Sequence, residues 1–239
     1  MKAILLAAGL GTRLRPLTDS VPKCLVPIGD RPLLGYWLDA LAEAGITDIL
    51  INLHHLADQV RSYVQARPDG QNITLVYEKD LLGTAGTIRE NAEFSQRQQV
   101  MIIHADNFCT ADLKKFINAH NRRPAGIQIT MMTFRTDEPE SCGIVEVDHR
   151  GVMTRFLEKV ENPPGNLANG AVYIFDPEAI EWICSKESGC FDISVDVLPR
   201  FVHRVAAWLS DGVHIDIGSE KNLERAREAA EAGTSITEL

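Results

Sequence analysis

Residues Leu6–Arg13 read Leu-Ala-Ala-Gly-Leu-Gly-Thr-Arg and follow the apolar run Ala3-Ile4-Leu5. This order is typical of a buried β-strand that runs into a glycine-rich turn. Gly9 and Gly11 would let the backbone come close to a ligand and allow φ > 0, so that successive N–H groups can point into one concavity. The arginine that closes the turn, and Lys23 further on, add positive charge. The stretch therefore predicts a loop that cradles phosphate groups.

Two better-known phosphate loops do not fit this stretch. The P-loop has a longer spacer between its glycines and ends in a Lys-Ser or Lys-Thr pair, which this chain lacks. The dinucleotide-binding fingerprint requires a third glycine at the position of Leu14. The sequence thus predicts a third kind of phosphate loop.

Short apolar runs alternate with helical patterns through the first half of the chain. Strands are predicted at 3–7, 48–53, 73–77 and 100–104, and helices at 33–44, 56–65, after Gly86 and at 112–121. This alternation predicts an α/β fold with a doubly wound, mostly parallel, Rossmann-like sheet. After Pro124 the pattern favours a mixed sheet, with strands at 127–134, 143–147, 152–156, 168–175, 205–209 and 213–216, and helices at 177–183, 195–203 and 220–232.

Composition and charge narrow the class of protein. The chain has 239 residues and a formal net charge of −9, which disfavours nucleic acid as a partner because nucleic-acid backbones bind basic surfaces. Residues 1–31 nevertheless hold five basic and two acidic residues, which suits a small anionic ligand. No apolar stretch approaches a membrane span or a secretory signal, so we expect no membrane association and a cytoplasmic location. The five cysteines, Cys190 among them, have no Cys-x-x-Cys pair, which predicts reduced thiols.

The longer string around the loop is more specific. Residues 7–18 read Ala-Ala-Gly-Leu-Gly-Thr-Arg-Leu-Arg-Pro-Leu-Thr, and residues 21–28 read Val-Pro-Lys-Cys-Leu-Val-Pro-Ile. Both resemble the amino-terminal signature of the sugar-1-phosphate nucleotidyltransferases, also called nucleotide-sugar pyrophosphorylases. The resemblance reaches the helix after Gly218. It implies the nucleotide-diphospho-sugar transferase fold in a single domain, with a nucleotide-binding half at 1–124, a sugar-binding half at 125–239 and no C-terminal β-helix domain.

A second segment, Glu78-Lys79-Asp80-Leu81-Leu82-Gly83-Thr84-Ala85-Gly86, follows a predicted strand. Its small residues would let the backbone approach a flat ligand at a helix N-terminus, although a tight turn capped by Thr84 explains the same pattern. The segment is similar to the Leu-Gly-Thr-Ala-Gly segment that contacts base and ribose in the family. The resemblance assigns nucleotide binding to Leu6, Ala7, Ala8, Gly9, Gly11, Thr12, Arg13, Glu78, Gly83 and Thr84.

Two aspartates, Asp106 and Asp216, stand at the ends of predicted strands that are far apart in sequence. Such a pair suits Mg²⁺, which binds few protein carboxylates and completes its shell with water and phosphate oxygens. A single aspartate at a strand end is more often a turn or cap residue. Both residues resemble the metal ligands of the family, with Ala105 in place of the usual glycine. His104 is more simply explained as a packed histidine than as a general base.

Residues of the second half resemble the sugar site of the family. The resemblance assigns Glu158 and Asn169 to sugar hydroxyls and Lys159 to the sugar phosphate, and Gly143 resembles the glycine that packs against the sugar. The chain departs from the family pattern at two places. Val160 replaces the common proline, and Asn169-Gly170-Ala171 inverts the common Asn-Ala-Gly order.

Together these resemblances imply transfer of a nucleotidyl group from a nucleoside triphosphate to a sugar 1-phosphate, with release of pyrophosphate. Arg13 would hold the leaving pyrophosphate, Lys23 the α-phosphate and Lys159 the attacking phosphate, with Mg²⁺ as cofactor. The Glu-x-x-x-Leu-Gly-Thr-Ala-Gly pattern is most similar to guanylyltransferases acting on mannose 1-phosphate or manno-heptose 1-phosphate, which favours GTP. UTP- or dTTP-using relatives and a catalytically silent nucleotide-sugar-binding subunit remain as alternatives, and a homodimer is a possible assembly.

Overall fold

The computed structural model of the protein describes residues 1–186 and 192–237, without the side chains of residues 71 and 234–237. Cys190, one of the thiols considered above, lies outside the described residues. Among the described residues, Cys24, Cys109, Cys142 and Cys184 form no disulfide bond. None of the described helices combines the length and apolar character that a membrane span requires.

All ten predicted strands are present, with ends that differ by at most two residues, and three short strands are added. The strands are β1 Lys2–Leu6, β2 Pro27–Ile28, β3 Arg31–Pro32, β4 Ile49–Leu53, β5 Ile73–Tyr77, β6 Val100–His104, β7 Asn107–Cys109, β8 Ile129–Arg135, β9 Gly143–Val147, β10 Met153–Glu158, β11 Leu167–Phe175, β12 Val205–Leu209 and β13 His214–Asp216. The α-helices are α1 Leu17–Ser20, α2 Leu33–Glu43, α3 Ala57–Ala66, α4 Thr84–Glu90, α5 Ala92–Ser95, α6 Leu113–Asn121, α7 Pro177–Cys184 and α8 Glu220–Thr237.

Two predictions about helices are wrong. The helix predicted after Gly86 begins earlier, at Thr84. The helix predicted at 195–203 is instead a π-helix, Ile193–Val197, followed by a 3₁₀-helix, Leu198–Phe201. Pro199 has no N–H to donate, so a regular α-helical ladder cannot continue through it.

The fold class is α/β with a large central sheet, as the alternation of strands and helices predicts. The chain divides into two compact units, each built from several segments. We call Met1–Ile4, Leu82–Ile103 and Leu113–Ser210 the first unit, and Leu5–Leu81, His104–Asp112 and Asp211–Leu239 the second unit. The division into halves at 1–124 and 125–239 stays a prediction.

The second unit contains the predicted phosphate loop. Its strands β4 and β5 pair in parallel over their whole length, and β1 ends in this unit at Leu6. Helix α8 packs Leu223 and Ala226 into an apolar cluster with Leu14, Val26 and other buried side chains of this unit. This cluster fixes the chain that follows the loop.

The pairing of β13 with β7 is the feature of the second unit that builds the site. The two strands are antiparallel, and Asp216 is the partner of Asn107. Asn107 directly follows Asp106 in the chain. The register therefore brings two aspartates together that are far apart in sequence.

In the first unit, β11 is the central strand. It pairs antiparallel with β6, β8 and β9, while β9 pairs antiparallel with β10 and β12 pairs in parallel with β8. The pairing of β11 with β8 is interrupted between Asn169 and Tyr173, where Ala171 has a φ of +52°. The combination of parallel and antiparallel pairs agrees with the mixed sheet predicted after Pro124.

A buried carboxylate, Asp176, stabilises the first unit where β11 passes into α7. Gln99 Nε2 donates to its Oδ1 over 2.9 Å, Arg123 Nη2 donates to its Oδ2, and His120 Nε2 lies 3.3 Å from Oδ1. Burial raises the pKa of Asp176, but the His120, Gln99 and Arg123 side chains outweigh it and hold the pKa below its ordinary value. The carboxylate is therefore more stable as an anion in the folded chain than in the unfolded one.

We expect Asp176→Asn to lower the free energy of unfolding at pH 7 by about 1–3 kcal/mol, since hydrogen bonds to a charged group contribute on that order. The stabilisation is present above the unfolded-state pKa of about 3.9 and is lost as the pH falls through the lower folded-state pKa. The variant should therefore lose less stability on acidification than the wild-type chain. Urea denaturation at a series of pH values measures both effects, and equal acid sensitivity of the two proteins would contradict the prediction.

Candidate active site

The predicted phosphate loop begins at the end of β1. Gly11 has a φ of +63°, and a Cβ at this position would lie 2.9 Å from Thr18 Cγ2, so the loop requires glycine here. The expectation of positive φ is wrong for Gly9, which has no left-handed backbone. A Cβ on Gly9 would meet no atom within 4 Å, so this residue borders open space.

Backbone and side-chain hydrogen bonds hold the loop in place. The Ala7 N–H donates to Asn52 Oδ1 over 2.7 Å, and the Thr18 hydroxyl donates to the Gly11 carbonyl oxygen over 2.8 Å. The Leu6 carbonyl oxygen accepts from the Ala105 N–H over 3.1 Å. Ala8 is buried, while Thr12 and Arg13 form the exposed start of a 3₁₀ turn, Thr12–Leu14. The loop therefore has a fixed base and an exposed, arginine-bearing end.

Four predicted site residues meet next to the loop, in what we call the lysine–aspartate cluster: Arg13, Lys23, Asp106 and Asp216. The Lys23 ammonium donates to Asp106 Oδ2 over 2.6 Å and to Asp216 Oδ1 over 2.9 Å. Arg13 Nη2 donates to Asp216 Oδ2 over 3.2 Å. The Gly218 N–H donates to Asp216 Oδ1 over 2.9 Å, which orients that carboxylate further.

The charged groups of the cluster stabilise one another electrostatically. Burial lowers the pKa of Lys23, but the carboxylates of Asp106 and Asp216 outweigh it and leave the pKa above its ordinary value. Burial raises the pKa of Asp106, but the charge of Lys23 and a smaller contribution from His104 hold it below its ordinary value. Lys23 and Asp106 are therefore both charged at neutral pH.

His214, next to the cluster, carries no charge at neutral pH. Burial lowers its pKa to about 4, against the opposing influence of the Asp216 and Asp106 carboxylates. Arg13 and Lys23 bring positive side-chain charge to the carboxylates through direct hydrogen bonds.

The donor set of the cluster fits Mg²⁺. The side chains of Asp106 and Asp216 are 38% and 47% exposed, and both carboxylates already converge on one cation, the ammonium of Lys23. Within residues 1–186 and 192–237, no group of three or more His, Cys, Asp or Glu side chains is placed to hold a metal. Protein oxygens would thus fill only part of the shell, which leaves room for the water and phosphate oxygens that Mg²⁺ usually keeps.

Glu78, a predicted nucleotide contact, lies in the same unit at the end of β5. It is 6% exposed, and Asn52 Nδ2 donates to its Oε1 over 2.9 Å. Sequence reasoning missed Asn52. An amide within the otherwise apolar strand Ile49–Leu53 was the signal that could have found it.

Gly83 and Thr84 lie in the first unit, where they start α4. Gly83, with a φ of +75°, is the N-cap, so the alternative that Thr84 caps the helix is wrong. The Thr84 hydroxyl donates to Asp192 Oδ2 over 3.1 Å and accepts from the Ile193 N–H over 2.8 Å. Its side chain therefore ties α4 to the π-helix, and nucleotide binding by Gly83 and Thr84 stays a prediction.

The predicted sugar-phosphate residues Gly143, Glu158 and Lys159 lie together in the first unit. Glu158 ends β10 opposite Gly143 of β9. Lys159 follows with a φ of +47°, and its Nζ lies 3.6 Å from Glu158 Oε1. Burial raises the pKa of Glu158, the nearby Asp192 adds to this, and Lys159 opposes it without cancelling it. The strand end thus presents a carboxyl and an ammonium side by side.

Asn169, the remaining predicted sugar contact, lies at the bulge of β11. Its Nδ2 donates to the Tyr173 hydroxyl over 2.7 Å, and its Oδ1 accepts from the Ala171 N–H over 2.9 Å. Tyr173 is fully buried, and burial raises the pKa of its phenol. In the common Asn-Ala-Gly order a glycine would occupy the left-handed position of Ala171, so the inverted order places a strained alanine there.

Comparison with known proteins shows the family of the chain. A sequence profile described as nucleotidyl transferase matches residues 2–233, and the chain belongs to that family. It is 32% identical over 93% of its length to mannose-1-phosphate guanyltransferase 2 of Candida glabrata, of which it spans 62%. It is also 32% identical over 84% of its length to the UTP–glucose-1-phosphate uridylyltransferase of Synechocystis sp., of which it spans 55%.

Among solved structures, HddC from Yersinia pseudotuberculosis in complex with GMP-PN superposes with a TM-score of 0.79. The sequence identity is 25%, and the match covers 95% of this chain and 98% of that one. The chain is thus considerably shorter than the two curated relatives and comparable in length to this structural neighbour.

Proposed function

We propose that the chain transfers a nucleotidyl group from a nucleoside triphosphate to a sugar 1-phosphate and releases pyrophosphate. The observation that carries this proposal is the lysine–aspartate cluster beside a glycine-rich loop, where Lys23 Nζ lies 2.6 Å from Asp106 and 2.9 Å from Asp216. Such a cluster can bind both a polyphosphate and a divalent cation. Family membership supports the reaction class.

The reaction needs little proton transfer, because a sugar 1-phosphate is already an anion at neutral pH. The protein must position two polyanions and stabilise the charge that develops at the α-phosphorus. Lys23 would bind the α-phosphate, and Arg13, whose side chain is 70% exposed, would hold the pyrophosphate that leaves. Backbone N–H groups of the loop would bind the remaining phosphate oxygens.

Asp106 and Asp216 would hold Mg²⁺, which supplies Lewis-acid neutralisation of phosphate charge when bound. In the first unit, Lys159 would bind the phosphate of the sugar substrate. Glu158 and Asn169 would form hydrogen bonds with sugar hydroxyls, and Gly143 would pack against the sugar. The exposed ammonium of Lys159 and the half-buried carboxyl of Glu158 support this assignment, since they place opposite charges at one strand end.

We further propose GTP and mannose 1-phosphate as the preferred substrates. The Candida glabrata relative is named as a mannose-1-phosphate guanyltransferase, and a second one from Saccharomyces cerevisiae is 31% identical. The Synechocystis relative, named as a UTP–glucose-1-phosphate uridylyltransferase, favours UTP with glucose 1-phosphate as the second candidate. Either pair of substrates would bind at the same phosphate loop and the same lysine–aspartate cluster.

Pyrophosphate release tests the proposal directly. The chain is assayed with Mg²⁺ across GTP, UTP, dTTP, CTP and ATP, each with a panel of hexose and heptose 1-phosphates. We expect the fastest release with GTP and mannose 1-phosphate. Faster release with UTP and glucose 1-phosphate would select the second candidate, and nucleotide binding without release from any pair would indicate a silent nucleotide-sugar-binding subunit. Light scattering on the same preparation tests the homodimer.

One variant probes the position of Arg13. A Cβ on Gly218 would lie 2.3 Å from Arg13 Nη2, so Gly218→Ala must displace the guanidinium from Asp216. Because Arg13 is largely exposed, its movement should cost little stability, whereas turnover should fall about tenfold or more. Pyrophosphate release and thermal melting measure the two effects. Gly165→Ala, where a Cβ meets no atom within 4 Å, is the matched control, and equal turnover of both variants would contradict the role of Arg13.

A further inference from the structure

Asn52 is a polar residue in a strand that is otherwise apolar and buried. It is 3% exposed and lies between Ile51 and Leu53, which are 0% and 1% exposed. An amide in such surroundings destabilises the fold unless its polar atoms are hydrogen-bonded. In the middle of β4, Asn52 therefore needs hydrogen-bond partners for both the oxygen and the nitrogen of its amide.

Both ends of the Asn52 side chain are engaged. Its Oδ1 accepts from the Ala7 N–H over 2.7 Å, and its Nδ2 donates to Glu78 Oε1 over 2.9 Å. Ala7 is the first residue after β1, and Glu78 is the first residue after β5. One side chain on β4 thus connects the residues that directly follow β1 and β5.

Glu78 is held by its backbone as well. Its N–H donates to the Leu53 carbonyl oxygen over 2.8 Å, and its own carbonyl oxygen accepts from His54 Nδ1 over 2.8 Å. The hydrogen bond from Asn52 then fixes the carboxylate itself. The bond is buried, and a buried polar side chain keeps the orientation in which its polar atoms are hydrogen-bonded, so this contact helps to orient the Glu78 side chain.

We propose that Asn52 is a positioning residue for the nucleotide. It orients the carboxylate of Glu78 for the base and, through Ala7, sets the entry of the phosphate loop, so that the two ends of the nucleotide site keep a fixed spacing. The inference rests on the proposed function, because it takes Glu78 and the loop as nucleotide contacts. Asn52 itself touches no substrate.

Asn52→Asp tests the donor end of the amide. The new side chain keeps an oxygen that can accept from the Ala7 N–H, but it places a second carboxylate oxygen against Glu78 Oε1. We expect the Kd and KM for the preferred nucleoside triphosphate to rise about tenfold to 100-fold, and the KM for the sugar 1-phosphate to change less than about twofold. Titration calorimetry with that nucleotide and steady-state pyrophosphate release provide these values.

Thr130→Val is the matched control. It also removes a buried side-chain hydrogen bond, between Thr130 Oγ1 and His120 Nδ1 at 2.7 Å, but between two residues of the first unit to which no role in binding is assigned. Its nucleotide Kd should equal that of the wild-type chain, even where its melting temperature falls. If Asn52→Asp does not fold, Asn52→Ser, which introduces a shorter, neutral side chain, is compared with the wild-type chain in the same way.

The outcomes separate the inference from the proposed function. A folded Asn52 variant with the wild-type nucleotide Kd would overturn the positioning role. The positioning role would also be overturned if both KM values changed equally and kcat fell in step with the melting temperature. A residue that only stabilises the fold would give that result. A wild-type chain that binds none of the nucleoside triphosphates would overturn the proposed function as well.

Discussion

Asp106→Asn is expected to lower kcat for pyrophosphate release by about 10² to 10³-fold, the usual loss when one group that stabilises transition-state charge is removed. The asparagine keeps the shape of the side chain and an oxygen that can accept from Lys23 Nζ, which is 2.6 Å away in the wild-type chain. It removes the negative charge that is proposed to hold Mg²⁺ together with Asp216. The loss should therefore appear in turnover and metal affinity, and the melting temperature should also fall, because the buried ammonium of Lys23 loses one of its two charged partners.

The control for this variant is Asp58→Asn, because the Asp58 side chain is fully exposed and far from the cluster in sequence. It changes the net charge by the same amount and should leave turnover unchanged. Mn²⁺ titration in the presence of nucleotide gives a second measurement of the metal site. Wild-type turnover in Asp106→Asn would remove Asp106 from the proposed mechanism.

Lys23→Met is expected to lower kcat by a similar factor, about 10² to 10³-fold, since it removes the charge proposed to bind the α-phosphate. The effect on metal binding should have the opposite sign. Without the ammonium, the carboxylates of Asp106 and Asp216 repel each other and attract a divalent cation more strongly. Mg²⁺ in the absence of nucleotide should therefore raise the melting temperature of Lys23→Met more than that of the wild-type chain.

Lys114→Met, at an exposed position on α6, is the control for the loss of one lysine. Thermal melting with and without Mg²⁺, and pyrophosphate release at saturating substrates, measure both parts of the prediction. An equal response of wild type and Lys23→Met to Mg²⁺ would show that Lys23 does not compete with the cation at the two carboxylates.

Elements with a local pattern could be predicted from the sequence. The runs at 73–77 and 100–104 have the predicted bounds, because residues that favour strands stand there at adjacent positions. The two short helices Ile193–Val197 and Leu198–Phe201 could not be predicted this way. Asp192 caps the π-helix with its side chain and also accepts from Thr84, a partner that is far away in sequence.

The candidate site shows the same division. The loop and the two aspartates are visible as residue types at strand ends, but their meeting depends on the register of β13 against β7, which neither short strand specifies alone. Asn52 was missed because a single amide in an apolar run does not by itself indicate which groups it hydrogen-bonds. Its two contacts lie 45 and 26 positions away in the chain.

The left-handed backbone of Lys159 has a consequence for the evolution of this chain. A lysine with a φ of +47° costs on the order of 1 kcal/mol relative to glycine, which adopts this region freely. Selection for thermal stability alone would thus favour glycine at position 159, and selection for binding of a sugar phosphate would retain the ammonium. Under the proposed function, the end of β10 is a place where durability and activity favour different residues.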